Sequence, residues 1–248
     1  MALPRGMPGG YQPDPARSHA FAPGRRFAGP RRGLREKIVA LTFDDGPDPK
    51  RTPLVLDALK AAGAKATFFV LGHKVAKHPD LVRRMVDEGH VVGSHSWSHP
   101  ANTSPEQARD ELDRTHKAIR DACGVDVVWF RPPYGIFTGN LEAYAKVRSY
   151  RTILWSVDTQ DWKYLDAART AVIAGERTRR GDVVLMHDIH QSTADAVPVL
   201  LKSLARRGVA SVTIAELLDP KRTIEGKGSV RAIAPDPPAA DPARPRPR

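Results

Sequence analysis

Five short stretches of this 248-residue chain carry side chains that could do chemistry together. LTFDDGPDP, Leu41 to Pro49, ends an apolar run on two adjacent carboxylates, Asp44 and Asp45. HSWSH sets His95 and His99 four residues apart, a spacing at which two imidazoles on one helical turn can reach the same metal ion. It resembles the zinc-protease pattern but lacks its Glu, so a base would have to come from elsewhere. A carboxylate from the Asp44–Asp45 pair would complete a His, His, Asp set with positions left open for water and substrate, which marks a catalytic rather than a structural metal site. Such a donor set suits Zn²⁺, Co²⁺ or Ni²⁺ better than Mg²⁺ or Ca²⁺.

The other three stretches supply different tools. In RPPYG, Arg131 precedes two prolines that fix the backbone and remove two donors, leaving Tyr134 as the next residue with an N–H to aim at a developing oxyanion. His187 follows the apolar VVLM and should point into the rim of the fold, its pKa set by its neighbours. In DTQDW, Asp161 could orient that histidine as the carboxylate partner of a general acid, and Trp162 offers an apolar wall. Each residue also has a bland reading: an ordinary turn, a surface arginine, a capping aspartate, a core tryptophan.

What must position them is a series of short β-branched and aromatic runs alternating with helix-like stretches. The expected strands are Ile38–Phe43, Ala66–Val70, Val91–Ser94, Val127–Phe130, Thr152–Ser156, Val183–Met186 and Ala210–Val212. The expected helices are Pro53–Ala62, Asp80–Glu88, Pro105–Ala122, Asn140–Val147, Leu165–Arg179, Ala194–Arg207 and Ile214–Leu218, the third opened by a capping box of Ser104 with Gln107. Seven strand-then-helix units imply a parallel α/β sheet with right-handed crossovers, closed as a barrel or open and doubly wound. Both architectures gather ligands at the C-terminal ends of the strands. All five polar stretches follow a strand, so they converge on one rim.

The formal net charge of +11 suggests a polyanionic partner until it is located. Residues 1–36 carry +5 and residues 220–248 carry +4, leaving +2 for residues 37–219. The two ends also hold 13 of the 22 prolines and read as disordered Pro-, Gly- and Arg-rich tails around one domain at 37–219. No nucleic-acid partner is expected. No apolar run reaches the length of a membrane span, the first 35 residues lack the apolar segment of a secretory signal, and the single Cys123 excludes an internal disulfide.

Taken in order, TFDDGP, HSWSH, RPPYG, DTQDW and LMH resemble the motifs of the polysaccharide deacetylases of carbohydrate esterase family 4, which share the NodB homology domain. The resemblance covers roughly residues 37–219 and implies a distorted (β/α) barrel. It implies Asp44 as general base; Asp45, His95 and His99 as ligands of a divalent metal, often zinc; and Arg131 as the group that keeps Asp44 ionised. It further implies an oxyanion contact from the Tyr134 backbone N–H, His187 as general acid tuned by Asp161, and an acetyl-methyl slot lined by Trp162 and Leu185. Asp158 is the alternative partner for His187. The implied activity is metal-dependent N-deacetylation of N-acetylglucosamine units in chitin oligomers or peptidoglycan by a monomer. O-deacetylation of acetylxylan at the same site is an alternative, and so is a sugar-binding pseudoenzyme. Family members that act on cell walls are commonly exported, while no export signal is visible, so the compartment stays open. Asp48 reads as a turn former, His190 as an exposed loop residue and Asp188 as diverging from the site; His19, His73, His78, His90 and His116 receive no role.

Overall fold

The structure, a computed structural model, describes residues 37–219; the tails expected at 1–36 and 220–248 lie outside the described residues. In chain order the elements are β1 (Ile38–Asp44), α1 (Thr52–Ala61), β2 (Ala66–Val70), α2 (Gly72–Val75), α3 (Pro79–Asp87), β3 (Val91–Ser94), α4 (Pro105–Cys123) and β4 (Trp129–Phe130). After a 3₁₀ turn at Pro133–Gly135 come α5 (Asn140–Val147), β5 (Arg151–Thr152), β6 (Val157–Asp158), α6 (Asp161–Tyr164) and α7 (Ala167–Val172). A π-helical stretch, Ile173–Arg177, leads to β7 (Val183–His187), α8 (Gln191–Arg206), β8 (Ala210–Ser211) and α9 (Ile214–Leu217).

Every strand pairing is parallel, and the sheet runs β5-β4-β3-β2-β1-β7-β6, with β8 added beside the first two residues of β1. Its two edges, β5 and β6, are joined by residues 153–156 alone. The five Cα steps from Thr152 to Val157 reach at most about 18 Å, so the sheet must curl to bring its edges together. The result is the distorted (β/α) barrel that the resemblance implied.

Side-chain alternation along β1 then sorts the core into two layers. Val39, Leu41 and Phe43 face outward into a large cluster with the helices, including Leu56 and Leu59 of α1, Leu112 of α4 and Leu200 of α8. Ile38 and Ala40 face inward with Phe69, Trp129, Ile153 and Val183, and there Ile214, Leu217 and Leu218 from α9 and its end pack against them. The N-terminal ends of the strands are thus filled with apolar side chains. The inward residues further along β1, Thr42 and Asp44, are polar and lead to the opposite end.

Two expected elements differ. The strand expected at Thr152–Ser156 does not form, since Thr152 ends β5 and β6 begins only at Val157, and between them the carbonyls of Ile153 and Leu154 accept from Arg131 Nε and Nη2 at 3.1 and 3.2 Å. The helix expected from Leu165 starts at Ala167, since Leu165 takes a left-handed φ of 49° that ends α6 and the Asp166 carboxylate caps the Arg169 N–H at 3.0 Å. Val127–Phe130 shortens to Trp129–Phe130. The capping box of Ser104 and Gln107 forms as expected at the start of α4.

Candidate active site

At the C-terminal end of β1 the chain carries two adjacent carboxylates to different places. Asp44 is the last strand residue, points inward and is buried. In an extended strand the next side chain would face the other way. Asp45 instead adopts φ 70°, the left-handed region, which turns its carboxylate back along the rim. Asp44 Oδ1 lies 2.7 Å from Arg131 Nη1 and its Oδ2 3.7 Å from His95 Nε2, whereas Asp45 Oδ1 lies 3.5 Å from His95 Nε2 and 3.6 Å from His99 Nε2.

Those last distances are too long for hydrogen bonds, and Asp45 Oδ1 is a buried oxygen with no hydrogen-bond partner. They are, however, what a shared cation requires. Three ligand atoms arranged tetrahedrally at zinc bond lengths stand roughly 3.4 Å apart. The ligand atoms of Asp45, His95 and His99 all lie within 4.8 Å of one another. His95 Nδ1 sits 2.7 Å from the Arg131 carbonyl, which can only accept, so Nδ1 carries the proton and Nε2 presents its lone pair to the cluster. Burial, then the neighbouring His95, holds His99 below the usual imidazole pKa and favours the neutral ligand form. For Asp45 burial works the other way, yet His95, His187, His99 and Lys74 outweigh it and keep the carboxyl below its usual range. The residues fit a divalent metal of the zinc type.

Arg131 follows β4, has no exposed surface and spends its guanidinium on four acceptors: Thr42 Oγ1 at 2.8 Å, Asp44 Oδ1 at 2.7 Å, and the carbonyls of Ile153 and Leu154. Its plane lies over the Phe69 ring at 4.2 Å and near Trp155 at 5.6 Å. Burial pulls its pKa down and Asp44 opposes that shift, but an arginine stays charged across the working range. A buried charge so fully paired holds Asp44 against it.

Across the rim, His187 ends β7 and Asp161 opens α6. Asp161 Oδ1 is 2.8 Å from His187 Nδ1, and Oδ2 accepts from the His187 backbone N–H at 2.7 Å and from Thr193 Oγ1 at 2.6 Å. Burial alone would lower the His187 pKa, but the bond to Asp161 and the charges of Asp161, Asp44 and Asp45 raise it to about 9. Asp158 does not take this place: its Oδ1 accepts from the Gln160 N–H at 2.7 Å. Leu185 is buried two residues before His187 on the same face of β7, while Trp162, 51% exposed, follows Asp161 at the surface.

Tyr134 sits in the 3₁₀ turn with φ 57° and packs its ring edge-on to His99, 4.4 Å between centroids, which brings RPPYG beside the Asp–His–His cluster. His190 is partly buried with its ring 6.0 Å from His187, nearer the site than a freely exposed loop residue would be. Three contributors were not foreseen. Thr42 accepts from Arg131, Thr193 fixes Asp161, and Lys74 Nζ donates to the Asp45 carbonyl at 2.8 Å. Thr42 alone left a signal, two residues before Asp44 on the same strand face.

The family profile described as "Polysaccharide deacetylase" matches residues 31–153. Among curated proteins, the peptidoglycan-N-acetylglucosamine deacetylase PgdA of Listeria monocytogenes is 45% identical over 192 residues, 76% of this chain and 40% of that protein. A peptidoglycan-N-acetylglucosamine deacetylase of Bacillus cereus is 36% identical over 197 residues, 77% of this chain and 70% of that protein. The chain spans about two fifths of the length of the first of these relatives. Among solved structures, a family 4 carbohydrate esterase from Streptomyces lividans in complex with acetate superposes with a TM-score of 0.68 at 35% identity, covering 83% of this chain and 99% of that one.

Proposed function

Because the chain belongs to the polysaccharide deacetylase family, we propose that residues 37–219 form a metal-dependent hydrolase that removes the N-acetyl group from N-acetylglucosamine units, with peptidoglycan as the first substrate to test. The observation that carries this reading is that Arg131 holds one oxygen of Asp44 and leaves the other beside His95, while Asp45 Oδ1, without a hydrogen-bond partner, faces both His95 and His99. The peptidoglycan deacetylases among its relatives favour that polymer over chitin oligomers.

Asp45, His95 and His99 would hold the cation. Bound there, a divalent metal, zinc by the chemistry of its donors, polarises the amide carbonyl and acidifies water. Asp44, paired with Arg131, stays out of the ligand set and takes the proton from the attacking water. The Tyr134 backbone N–H, set in its left-handed turn next to His99, would steady the oxygen that gains negative charge. His187, held in its protonated form by the Nδ1–H it donates to Asp161, delivers its Nε2 proton to the departing nitrogen as the C–N bond breaks. Acetate and a free amine result. Trp162 and Leu185 would flank the acetyl methyl.

The test is acetate release from peptidoglycan, chitin oligomers and acetylxylan, each with and without a chelator. The reading requires chelator-sensitive release from an N-acetylated polymer. Release from acetylxylan alone would reassign the chemistry to ester hydrolysis.

A further inference from the structure

The loop that carries the proposed metal-binding carboxylate is held from two sides of the rim. The Asp45 carbonyl accepts from Lys74 Nζ at 2.8 Å, and the Gly46 carbonyl accepts from the Leu71 N–H at 3.0 Å. The Asp48 N–H donates to Thr52 Oγ1 at 2.8 Å. Thr52 Oγ1 has one proton of its own, and it gives that proton to Asp188 Oδ2. Lys74 and Leu71 belong to the β2–α2 side of the rim, whereas Asp188 is the residue after His187.

Asp188 has no use in the hydrolytic scheme, yet it is fully buried, and its second oxygen, Oδ1, has no hydrogen-bond partner. Such a carboxyl is costly to retain unless its position matters. Its position is against Gly46. A Cβ added there would lie 2.8 Å from the Asp188 carboxyl carbon and closer still to both oxygens, so the carboxyl occupies the space that any other residue would need after Asp45. Asp188 and Thr52 together seat the turn at the point where the chain leaves the left-handed Asp45.

We propose that Asp188 is a positioning residue that acts through Thr52 to fix the turn carrying Asp45, and so ties the seat of the metal-binding carboxylate to the strand end that carries His187. This rests on the function proposed above. Burial pushes the Asp188 carboxyl up to about 7.

The test compares native protein with Thr52→Val, Thr52→Ser and Asp188→Ala, reading zinc affinity by competition with a chromophoric chelator beside kcat and KM for acetate release. Thr52→Val keeps the side-chain shape and removes the hydroxyl. It should weaken zinc binding by about ten-fold to a hundred-fold, the usual cost of losing an outer partner of a metal ligand, and lower kcat in parallel with KM little changed. Thr52→Ser restores the hydroxyl and should restore both quantities. Asp188→Ala should match Thr52→Val, and if it does not fold the threonine pair still decides. Zinc affinity for Thr52→Val within about two-fold of native overturns the proposal, as does a serine variant that rescues neither quantity. A native protein that binds zinc but releases no acetate fails the functional reading alone, because the zinc titration is read independently of turnover.

Discussion

Arg131 Nη1 lies 2.7 Å from Asp44 Oδ1 with both side chains buried, and the same guanidinium is tied to Thr42 and to the two carbonyls that break the fifth expected strand. One guanidinium therefore both holds the link between the sheet's edges at residues 153–154 and pairs with the proposed base. Arg131→Met removes the charge at similar length and leaves Asp44 buried without its partner. Unfolding free energy should fall by about 3–5 kcal/mol, the cost typical of breaking a buried pair from one side. Chemical denaturation measures it, and a loss well under 1 kcal/mol would mean the pair contributes little to the fold.

His187 offers a pH signature. In the metal-free protein its imidazole should titrate near 9, above the ordinary value because burial is outweighed by the bond to Asp161 and the charges of Asp161, Asp44 and Asp45, as followed by NMR of the ring protons. A histidine whose folded pKa is raised adds stability that is whole below its unfolded pKa of about 6.5 and is lost as the pH rises through about 9. In Asp161→Asn the opposing effect of burial should dominate, bringing the pKa below the native value and removing that alkaline loss of stability.

Thr193 contributes to the same arrangement from α8. Thr193→Val deletes the hydroxyl that donates to Asp161 Oδ2 without touching His187. It should lower kcat by roughly ten-fold, less than loss of the acid itself, which is worth about 10² to 10⁴. Steady-state acetate release separates these cases, and a Thr193→Val rate equal to Asp161→Ala would show that the carboxylate cannot hold its place without the hydroxyl.

Metal removal should be visible in stability as well as in rate. A ligand present at about a thousand times its dissociation constant adds about 4 kcal/mol, so chelation should lower the melting temperature and added zinc or cobalt should restore it. A melting curve indifferent to both would argue that the Asp45, His95, His99 cluster binds no metal of this kind.

Much of this was legible in the residues. Strand positions Ala66–Val70 and Val91–Ser94 and helix Asn140–Val147 match the structure residue for residue, because their apolar runs are bounded by clear turn residues. The strand at Thr152–Ser156 misled because local β-propensity there competes with a buried guanidinium from a distant part of the chain, which no local pattern reveals. The site followed the same rule. Carboxylates and imidazoles at strand ends could be identified from type and spacing, whereas Thr42, Thr193, Thr52 and Asp188 act through contacts between residues far apart in sequence. That Asp45 joins Asp44 at the rim depends on a single left-handed φ at a non-glycine residue, a conformation that aspartate tolerates but does not announce.

The division of labour between those two neighbours is the centre of the account, and zinc content measured beside acetate release in Asp44→Asn and Asp45→Ala tests it most directly. Asp44→Asn should keep its zinc and lose about 10² to 10⁴ in kcat, while Asp45→Ala should lose both zinc and activity. An Asp44→Asn protein that turns over at near-native rate, or that loses its zinc along with Asp45→Ala, would contradict it.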